Sequence, residues 1–122
     1  MKTILFIEDE PTLQKTVGQF LEKEGYQIKN ALDGELGLAL AKEIKPDLIL
    51  LDLILPKKDG FGVLEELKKD ETTKDIPVII LTNLEGGADV EKALSLGATT
   101  YLVKANYELE EVVKKIKETL NQ

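Results

Sequence analysis

Five polar residues of this chain each follow a short apolar run, and their side chains together could bind a metal ion and a phosphoryl group. They are Glu8, Asp9, Asp52, Thr82 and Lys104. Carboxylate oxygens are ligands for hard divalent cations, whereas a hydroxyl and an ammonium group are donors to phosphate oxygens. The side-chain types therefore indicate metal-assisted phosphoryl chemistry, provided that the fold brings these residues together.

Three neighbouring carboxylates would repel one another and raise each other's pKa unless a cation lay between them. Mg²⁺ is the expected cation, because it accepts one or two carboxylates and leaves positions for water and phosphate oxygens. We expect Asp9 and Asp52 to be direct ligands, and Glu8 to bind directly or through water. The backbone carbonyl of Ile54 is expected to complete the protein's share of the ligands.

Asp52 is the expected nucleophile of this set, because it is central among the acids and a carboxylate can carry a phosphoryl group. Phosphoryl transfer depends mainly on positioning and on neutralising charge that spreads over three equatorial oxygens. We expect the Lys104 ammonium group to cover one of these oxygens and the Thr82 hydroxyl another.

The composition excludes several other kinds of function. The 122 residues suit a single domain, and 43% apolar with 32% charged residues suits a packed globule. Lys and Arg number 16 against 23 Asp and Glu, so a net charge of −7 disfavours direct binding to nucleic acid or to membranes and favours a protein partner. The chain has no Cys and no His, which excludes disulfides, thiol nucleophiles and zinc sites built on imidazole. The first apolar run is too short for a secretory signal or a membrane span, so we expect a cytoplasmic protein.

Apolar runs alternate with helical patterns from one end of the chain to the other. The runs at residues 4–7, 48–51, 78–81 and 101–103 are typical of strands buried on both faces, and a weaker edge strand is expected at residues 26–28. Helical spacing covers residues 13–21, 34–44, 61–69, 89–96 and 109–120. Strands that alternate with helices predict an α/β fold, a three-layer sandwich around a parallel sheet.

The carboxyl ends of parallel strands meet at one edge of such a sheet, where binding sites form. Taken singly, each polar residue also has an ordinary structural interpretation. Glu8 and Asp9 could begin a helix, Asp52 could belong to a turn, and Thr82 and Lys104 could be a strand residue and a solvated strand end. The coincidence of all five at one edge favours a functional site.

Longer segments around these residues resemble the receiver domain of bacterial two-component response regulators, in particular its single-domain, chemotaxis-type members. The similar segments are the Glu8-Asp9 pair, LLDLILPKKDG around Asp52, IPVIILT ending at Thr82, and LGATTYLVK ending at Lys104. The resemblance covers residues 1–122 as one receiver domain. It implies a flavodoxin-like fold with five helices and strand order 2-1-3-4-5, and Mg²⁺ dependence.

The resemblance also implies partners and a switch. Asp52 would receive its phosphoryl group from a phosphohistidine on a sensor histidine kinase or a histidine phosphotransfer protein. Thr82 and Tyr101 would then move and change the surface of helix 4, strand 5 and helix 5 for an unknown protein target. Ile54 and Leu84 occupy positions that govern water access in the family, and both are bulky and apolar, which predicts slow self-dephosphorylation. A monomer or a weak phosphorylation-dependent dimer is expected.

Two positions depart from the family pattern. Relatives commonly follow the lysine with proline, often after a cis bond, whereas Ala105 follows Lys104 here. A cis bond before a non-proline residue costs about 3 kcal/mol, so a trans or a strained bond is expected. Asn83 follows Thr82 where relatives carry a small residue, and its amide would narrow the pocket or add a polar contact.

Two other functions are compatible with part of this pattern. One is a Mg²⁺-dependent phosphohydrolase or phosphotransferase with an Asp nucleophile. Such enzymes of the haloacid-dehalogenase type place a second Asp two residues after the first, where this chain has Ile54. The other is an interaction module that works without phosphorylation, which would gain support if Ala105 displaced the lysine.

Overall fold

The computed structural model describes residues 1–122, along which strands and helices alternate five times. The strands are β1 (Thr3–Ile7), β2 (Gln27–Ala31), β3 (Leu48–Leu51), β4 (Val78–Thr82) and β5 (Thr100–Val103). The helices are α1 (Pro11–Lys23), α2 (Gly34–Ile44), α3 (Gly60–Lys69), α4 (Gly87–Ser95) and α5 (Leu109–Thr119). A short 3-10 turn, Lys104–Asn106, follows β5.

The five strands form one parallel sheet in the order β2-β1-β3-β4-β5, as expected. Strand β1 lies between β2 and β3, with Ile7 opposite Ala31 on one side and Leu51 on the other. The chain moves outward in opposite directions from β1 and β3, which makes their carboxyl ends a topological switch point. The sheet therefore offers a binding position beside the residues that follow β1 and β3.

Helices cover both faces of the sheet and give the expected three layers. Side chains alternate along each strand, so each central strand contributes to two separate cores. One core joins Leu5, Ile7, Ile49 and Leu51 to buried residues of α2, α3 and α4. The other joins Ile4, Phe6, Leu48 and Leu50 to buried residues of α1 and α5. Because β1 and β3 are buried on both faces, the backbone at their carboxyl ends is firmly held.

Element boundaries differ from the sequence expectation mainly at the edge strand and at α4. Helix α2 has the expected bounds, whereas β2 runs over Gln27–Ala31 and not over residues 26–28. Tyr26 precedes the strand, is buried, and donates its hydroxyl hydrogen to Gln122 Oε1 at 2.7 Å. Helix α4 begins at Gly87, two residues earlier than expected. None of the helices has the length and apolar character needed to cross a bilayer.

Candidate functional site

The structure brings the polar residues of the strand ends to one edge of the sheet. Glu8 and Asp9 follow β1, Asp52 follows β3, Thr82 is the last residue of β4, and Lys104 follows β5 directly. Since β1, β3, β4 and β5 run parallel, all of these positions lie at their carboxyl ends. The convergence expected from the sequence is therefore present in the fold.

Lys104 joins the two buried acids of this edge. Its Nζ lies 2.6 Å from Glu8 Oε1 and 3.0 Å from Asp52 Oδ2. Glu8 is 1% exposed and Asp52 is 4% exposed, so both carboxylates are almost completely removed from water. A buried carboxylate needs a charged or hydrogen-bonding partner, and the ammonium group supplies one to each.

Backbone amides hold the second oxygen of both acids. The amide of Glu10 donates to Glu8 Oε2 at 3.2 Å, and the amide of Ile54 donates to Asp52 Oδ1 at 3.2 Å. Each acid thus bonds an amide two residues further along the chain with one oxygen and Lys104 with the other. This arrangement fixes the orientation of both carboxylates before any ligand binds.

Burial and charge shift the pKa values of this cluster. Burial raises the pKa of Glu8, and the neighbouring charge of Asp52 raises it further, while the hydrogen bond from Lys104 acts in the opposite direction. Burial alone would lower the pKa of Lys104, but its hydrogen bonds to Glu8 and Asp52 outweigh this effect and raise that pKa. The lysine therefore stays charged, while its surroundings disfavour the ionised form of Glu8.

The donor set at this edge fits a hard divalent cation. Glu8, Asp9 and Asp52 each offer a carboxylate oxygen, and these atoms lie within 4.8 Å of one another. Asp9 is exposed, unlike the other two acids, and all three line an open cleft of about 460 Å³. The cleft is lined by Glu8, Asp9, Glu10, Pro11, Asp52, Ile54, Asn83 and Lys104. One lysine against three carboxylates leaves charge for a further cation to neutralise, and oxygen ligands are the kind that Mg²⁺ binds.

Thr82 and Tyr101 are connected through the backbone of Leu84. Thr82 is completely buried, and its Oγ1 accepts a long hydrogen bond of 3.5 Å from the Leu84 amide. The Tyr101 hydroxyl donates to the Leu84 carbonyl at 2.8 Å. Burial raises the pKa of Tyr101, and the charges of Asp89 and Asp52 add to this. Thr82 and Tyr101, which are expected to move together, are therefore bonded to the amide and to the carbonyl of the same residue.

The two apolar residues expected to control water access have different surroundings. Ile54 is 55% exposed and lines the cleft beside Asp52. Leu84 is half-buried and packs against the core on the α2, α3 and α4 side of the sheet. Of these two residues only Ile54 lines the cleft, which exposed Asn83 also lines.

The Lys104-Ala105 peptide bond is trans, since the chain contains no cis peptide bond. The 3-10 turn that begins at Lys104 carries the chain away from β5, while the lysine side chain reaches Glu8 and Asp52. Ala105 therefore does not displace the lysine, and the condition that would have favoured a module independent of phosphorylation is not met.

Gln14 supports the site, although its role was not expected from the sequence. Its buried side-chain amide donates to the backbone carbonyls of Glu8 and Ala31, both at 2.9 Å, and so ties α1 to the ends of β1 and β2. The sequence feature that indicates this role is the position of Gln14 between Leu13 and Val17, on the apolar side of α1. A side-chain amide that is buried there needs hydrogen-bond partners.

Comparisons with known proteins agree with this architecture. A family model described as the response regulator receiver domain matches residues 4–117. The chain is 43% identical to the DNA-binding dual master transcriptional regulator RpaA of Synechocystis, over 100% of this chain and 50% of that protein. It is 39% identical to protein PilH of Pseudomonas aeruginosa, over 85% of this chain and 86% of that protein. The chain spans half or less of the first curated relatives, RpaA and ycf27 transcriptional regulators.

Solved structures match over nearly the whole chain. A CheY-like response regulator receiver domain protein from Methanospirillum hungatei superposes with a TM-score of 0.93 at 29% identity, covering 99% of this chain and 94% of that one. The Mn²⁺-bound form of response regulator Rcp1 superposes with a TM-score of 0.82 at 33% identity, covering 97% of this chain and 93% of that one. The matched residues include every strand end described above, and the chain belongs to the response regulator receiver domain family.

Proposed function

We propose that this chain is a phosphorylation-activated signalling switch whose phosphoacceptor is Asp52. The observation that carries the proposal is the contact of Lys104 Nζ with both Glu8 and Asp52, at 2.6 Å and 3.0 Å, beside the exposed carboxylate of Asp9. A buried acid held between a cation and a cluster of metal-binding oxygens is suited to phosphoryl transfer. Membership of the receiver family, together with these contacts, supports that role for residues 1–122.

In the proposed transfer, a carboxylate oxygen of Asp52 forms a bond to phosphorus while the phosphorus–nitrogen bond of a partner's phosphohistidine breaks. The partner's imidazole keeps the electron pair of that bond and takes up a proton. The donor histidine must belong to a partner, because this chain contains no His. Asp52 needs no activating base, since it is already a carboxylate held by Lys104 and by the Ile54 amide.

Lys104 and Thr82 supply the donors for the phosphoryl oxygens in this proposal. Lys104 already lies against Asp52, so its charge is in place for one oxygen, and the Thr82 hydroxyl at the end of β4 serves another. Asp9 and Asp52, with Glu8 directly or through water and the Ile54 carbonyl, would hold Mg²⁺. The bound ion would neutralise the remaining charge of the acids and of the phosphoryl group. A bound Mn²⁺ in Rcp1, which shares 33% of its residues with this chain, supports a divalent ion here.

The output of the switch is proposed to pass through Leu84. A phosphoryl group adds about one to two negative charges and three acceptor oxygens, which attract the Thr82 hydroxyl and the backbone that follows it. Because Tyr101 is bonded to the Leu84 carbonyl, movement of this segment changes the environment of the ring. The surface of α4, β5 and α5 would then become competent to bind a protein target.

The partners follow from the family and from the chemistry of the site. A sensor histidine kinase or a histidine phosphotransfer protein would supply the phosphoryl group, in the cytoplasm. The net charge of −7 favours a protein target over direct binding to nucleic acid or to membranes. We expect a monomer or a weak dimer that forms on phosphorylation. The chain would catalyse only its own phosphorylation and slow dephosphorylation.

No observation favours the hydrolase, since the residue two positions after Asp52 is the exposed Ile54 and not a second acid. The experiment that separates the two functions incubates the chain with Mg²⁺ and a small phosphate ester, and separately with a phosphorylated histidine phosphotransfer protein. The switch predicts at most one phosphoryl group per chain and no sustained ester turnover. Continuous release of phosphate from the ester that is lost in Asp52→Asn would establish the hydrolase instead.

A further inference from the structure

Residues 53–59 form a loop that leads from Asp52 to α3 and includes Ile54, which lines the cleft. Backbone hydrogen bonds hold this loop. The Gly60 amide donates to the Leu53 carbonyl at 2.9 Å, and the Lys58 amide donates to the Pro56 carbonyl at 2.8 Å. Lys57 has a φ of 68°, in the left-handed region that residues with a side chain rarely adopt. The loop is therefore tightly folded and includes one unfavourable backbone conformation.

The first residue of α2 presses against this loop. The Gly34 amide donates to the Pro56 carbonyl at 3.3 Å. A Cβ atom added at Gly34 would lie 1.8 Å from the Lys58 carbonyl oxygen and 2.7 Å from the Lys58 carbonyl carbon. Both contacts are to backbone, so only movement of the loop or of the helix could make room. Position 34 thus requires glycine because two backbones meet there.

A second contact joins the same two segments. Asp33 accepts the Leu36 amide at 2.8 Å and so caps α2, and its other oxygen lies 3.9 Å from Lys57 Nζ. An exposed ion pair at this distance contributes little energy by itself. The cap fixes the start of α2. Because the backbone of Gly34 packs directly against the loop, the position of α2 also determines the position of the loop.

We infer that Gly34 is a positioning residue for the metal-binding segment of the site, acting through the loop that carries Ile54. The inference rests on the proposed function, in which the Ile54 carbonyl is a metal ligand. The segment that presents this carbonyl is bonded to Asp52 at its start, through the Ile54 amide, and to α2 at Pro56. Displacing the loop at Gly34 would therefore move a ligand while leaving the three carboxylates and Lys104 on their strands.

A purely structural role for Gly34 predicts a loss of stability without a specific loss of metal affinity. Gly97 provides the matched control, because it has a φ of 110° and its added Cβ would lie 2.9 Å from Lys68 Cγ. It precedes β5 and therefore lies at the opposite edge of the sheet from the site. Gly97→Ala is thus expected to destabilise the chain without touching the loop.

The experiment measures Mg²⁺ affinity by calorimetric titration of the wild-type chain, Gly34→Ala and Gly97→Ala, with unfolding of each followed in urea. Loss of a group that orients a metal ligand lowers affinity by about 10- to 100-fold. We expect Gly34→Ala to bind Mg²⁺ at least about tenfold more weakly than wild type, and Gly97→Ala to bind within about twofold of it. The amide resonances of residues 53–59 should also shift in metal-free Gly34→Ala and stay in place in Gly97→Ala.

Equal Mg²⁺ affinities of the two folded variants would overturn the inference and leave the proposed function intact. A wild-type chain without measurable Mg²⁺ affinity would refute the proposed metal site itself, and the positioning role with it.

If Gly34→Ala does not fold, amide hydrogen exchange of the wild-type chain decides. Mg²⁺ should slow exchange at the Gly34 amide, which is bonded to Pro56, and leave the Gly97 amide unchanged. An unchanged Gly34 amide, or an equal change at both glycines, would overturn the inference.

Discussion

Lys104 is the residue on which the charge balance of the buried acids depends. It neutralises part of the charge of Glu8 and Asp52, which have almost no contact with water. Desolvation makes such buried pairs weak contributors to stability when intact, yet removal of one partner is costly because the other charge stays buried. The lysine thus holds the two acids in place at the expense of stability, since their burial disfavours charge.

Lys104→Met should make folding depend on a divalent cation. Removing the ammonium group leaves two buried carboxylates unpaired, and we expect the free energy of unfolding in urea without Mg²⁺ to fall by about 3 kcal/mol. Added Mg²⁺ should restore more stability to this variant than it adds to the wild type, because the ammonium group no longer competes with the ion for Glu8 and Asp52 and an ion that binds only the folded chain stabilises it.

Lys114→Met, at an exposed position of α5, is the control, and its stability should stay within about 0.5 kcal/mol of wild type with or without Mg²⁺. A Lys104→Met protein as stable as this control without Mg²⁺ would show that the lysine does not compensate the acids.

Ile54 should limit the access of water to the phosphorylated site. Ile54 is exposed and lines the cleft, and its side chain has no polar group that could orient a water molecule. We expect Ile54→Asn with Leu84→Glu to lose phosphate about tenfold faster than wild type, because a polar side chain can position the attacking water. Because Leu84 packs against the core, Ile54→Asn alone should give most of the increase. Phosphate release from the labelled chain measures both rates, and an unaltered rate in the double variant would remove this role.

The positions of the polar residues were predictable from the sequence, but their contacts were not. Apolar runs that end at Ile7 and Leu51 imply parallel strands, and parallel strands bring Glu8 and Asp52 to one edge. Nothing in the chain indicates that Lys104 reaches both acids. That depends on the turn after β5, where the family pattern has proline and this chain has Ala105.

Helix α4 is the helix least firmly attached to the sheet. Ala93 is its only buried residue, and the helix begins after Gly86 without a side-chain cap. Its position is also held by Lys92, whose Nζ lies 4.4 Å from the centre of the Phe61 ring on α3. Few buried contacts and an uncapped start are features of segments that open locally. The segment between Thr82 and α4 is thus suited to move, and the bond from Tyr101 to Leu84 restrains it.

Tyr101→Phe should loosen this segment while preserving the ring. The variant loses the hydrogen bond to the Leu84 carbonyl, so we expect the free energy of unfolding to fall by about 1 kcal/mol. Amide exchange over residues 83–86 should become faster. Tyr107→Phe is the matched control, since Tyr107 packs against the other core. Similar exchange over residues 83–86 in the two variants would mean that the Tyr101 hydroxyl does not restrain the loop.

Elements with strong apolar patterns were predictable, whereas β2 and the start of α4 were not. Strand β2 contains Lys29 and Asn30, which are not typical strand residues, and it exists because it pairs with β1 over Thr3–Ile7. The first turn of α4 contains Gly87, a residue of low helix propensity. In both places tertiary contacts outweigh local preference.

Phosphorylation of the intact chain should require Asp52 but not Thr82. Thr82→Ala removes the hydroxyl that contacts the Leu84 amide, while Asp52 and Lys104 keep their ion pair. We expect this variant to accept a phosphoryl group and to show a much smaller change of amide resonances in α4, β5 and α5 than wild type. Normal binding of the target protein by phosphorylated Thr82→Ala would refute the proposed coupling.

The α/β class followed from the alternation of strands and helices alone, while the strand order β2-β1-β3-β4-β5 was expected only from the family resemblance. Periodicity identifies which segments are strands and cannot say which of them are neighbours. That order places β1 beside β3, and so Glu8 beside Asp52, and the site depends on it.

Phosphorylation of Asp52 is tested most directly by the intact mass of the chain after incubation with acetyl phosphate, with and without Mg²⁺, beside that of Asp52→Asn. We expect the wild-type chain to gain one phosphoryl group only when Mg²⁺ is present and Asp52→Asn to gain none. Equal labelling of the two proteins, or labelling of wild type that is indifferent to Mg²⁺, would contradict this expectation.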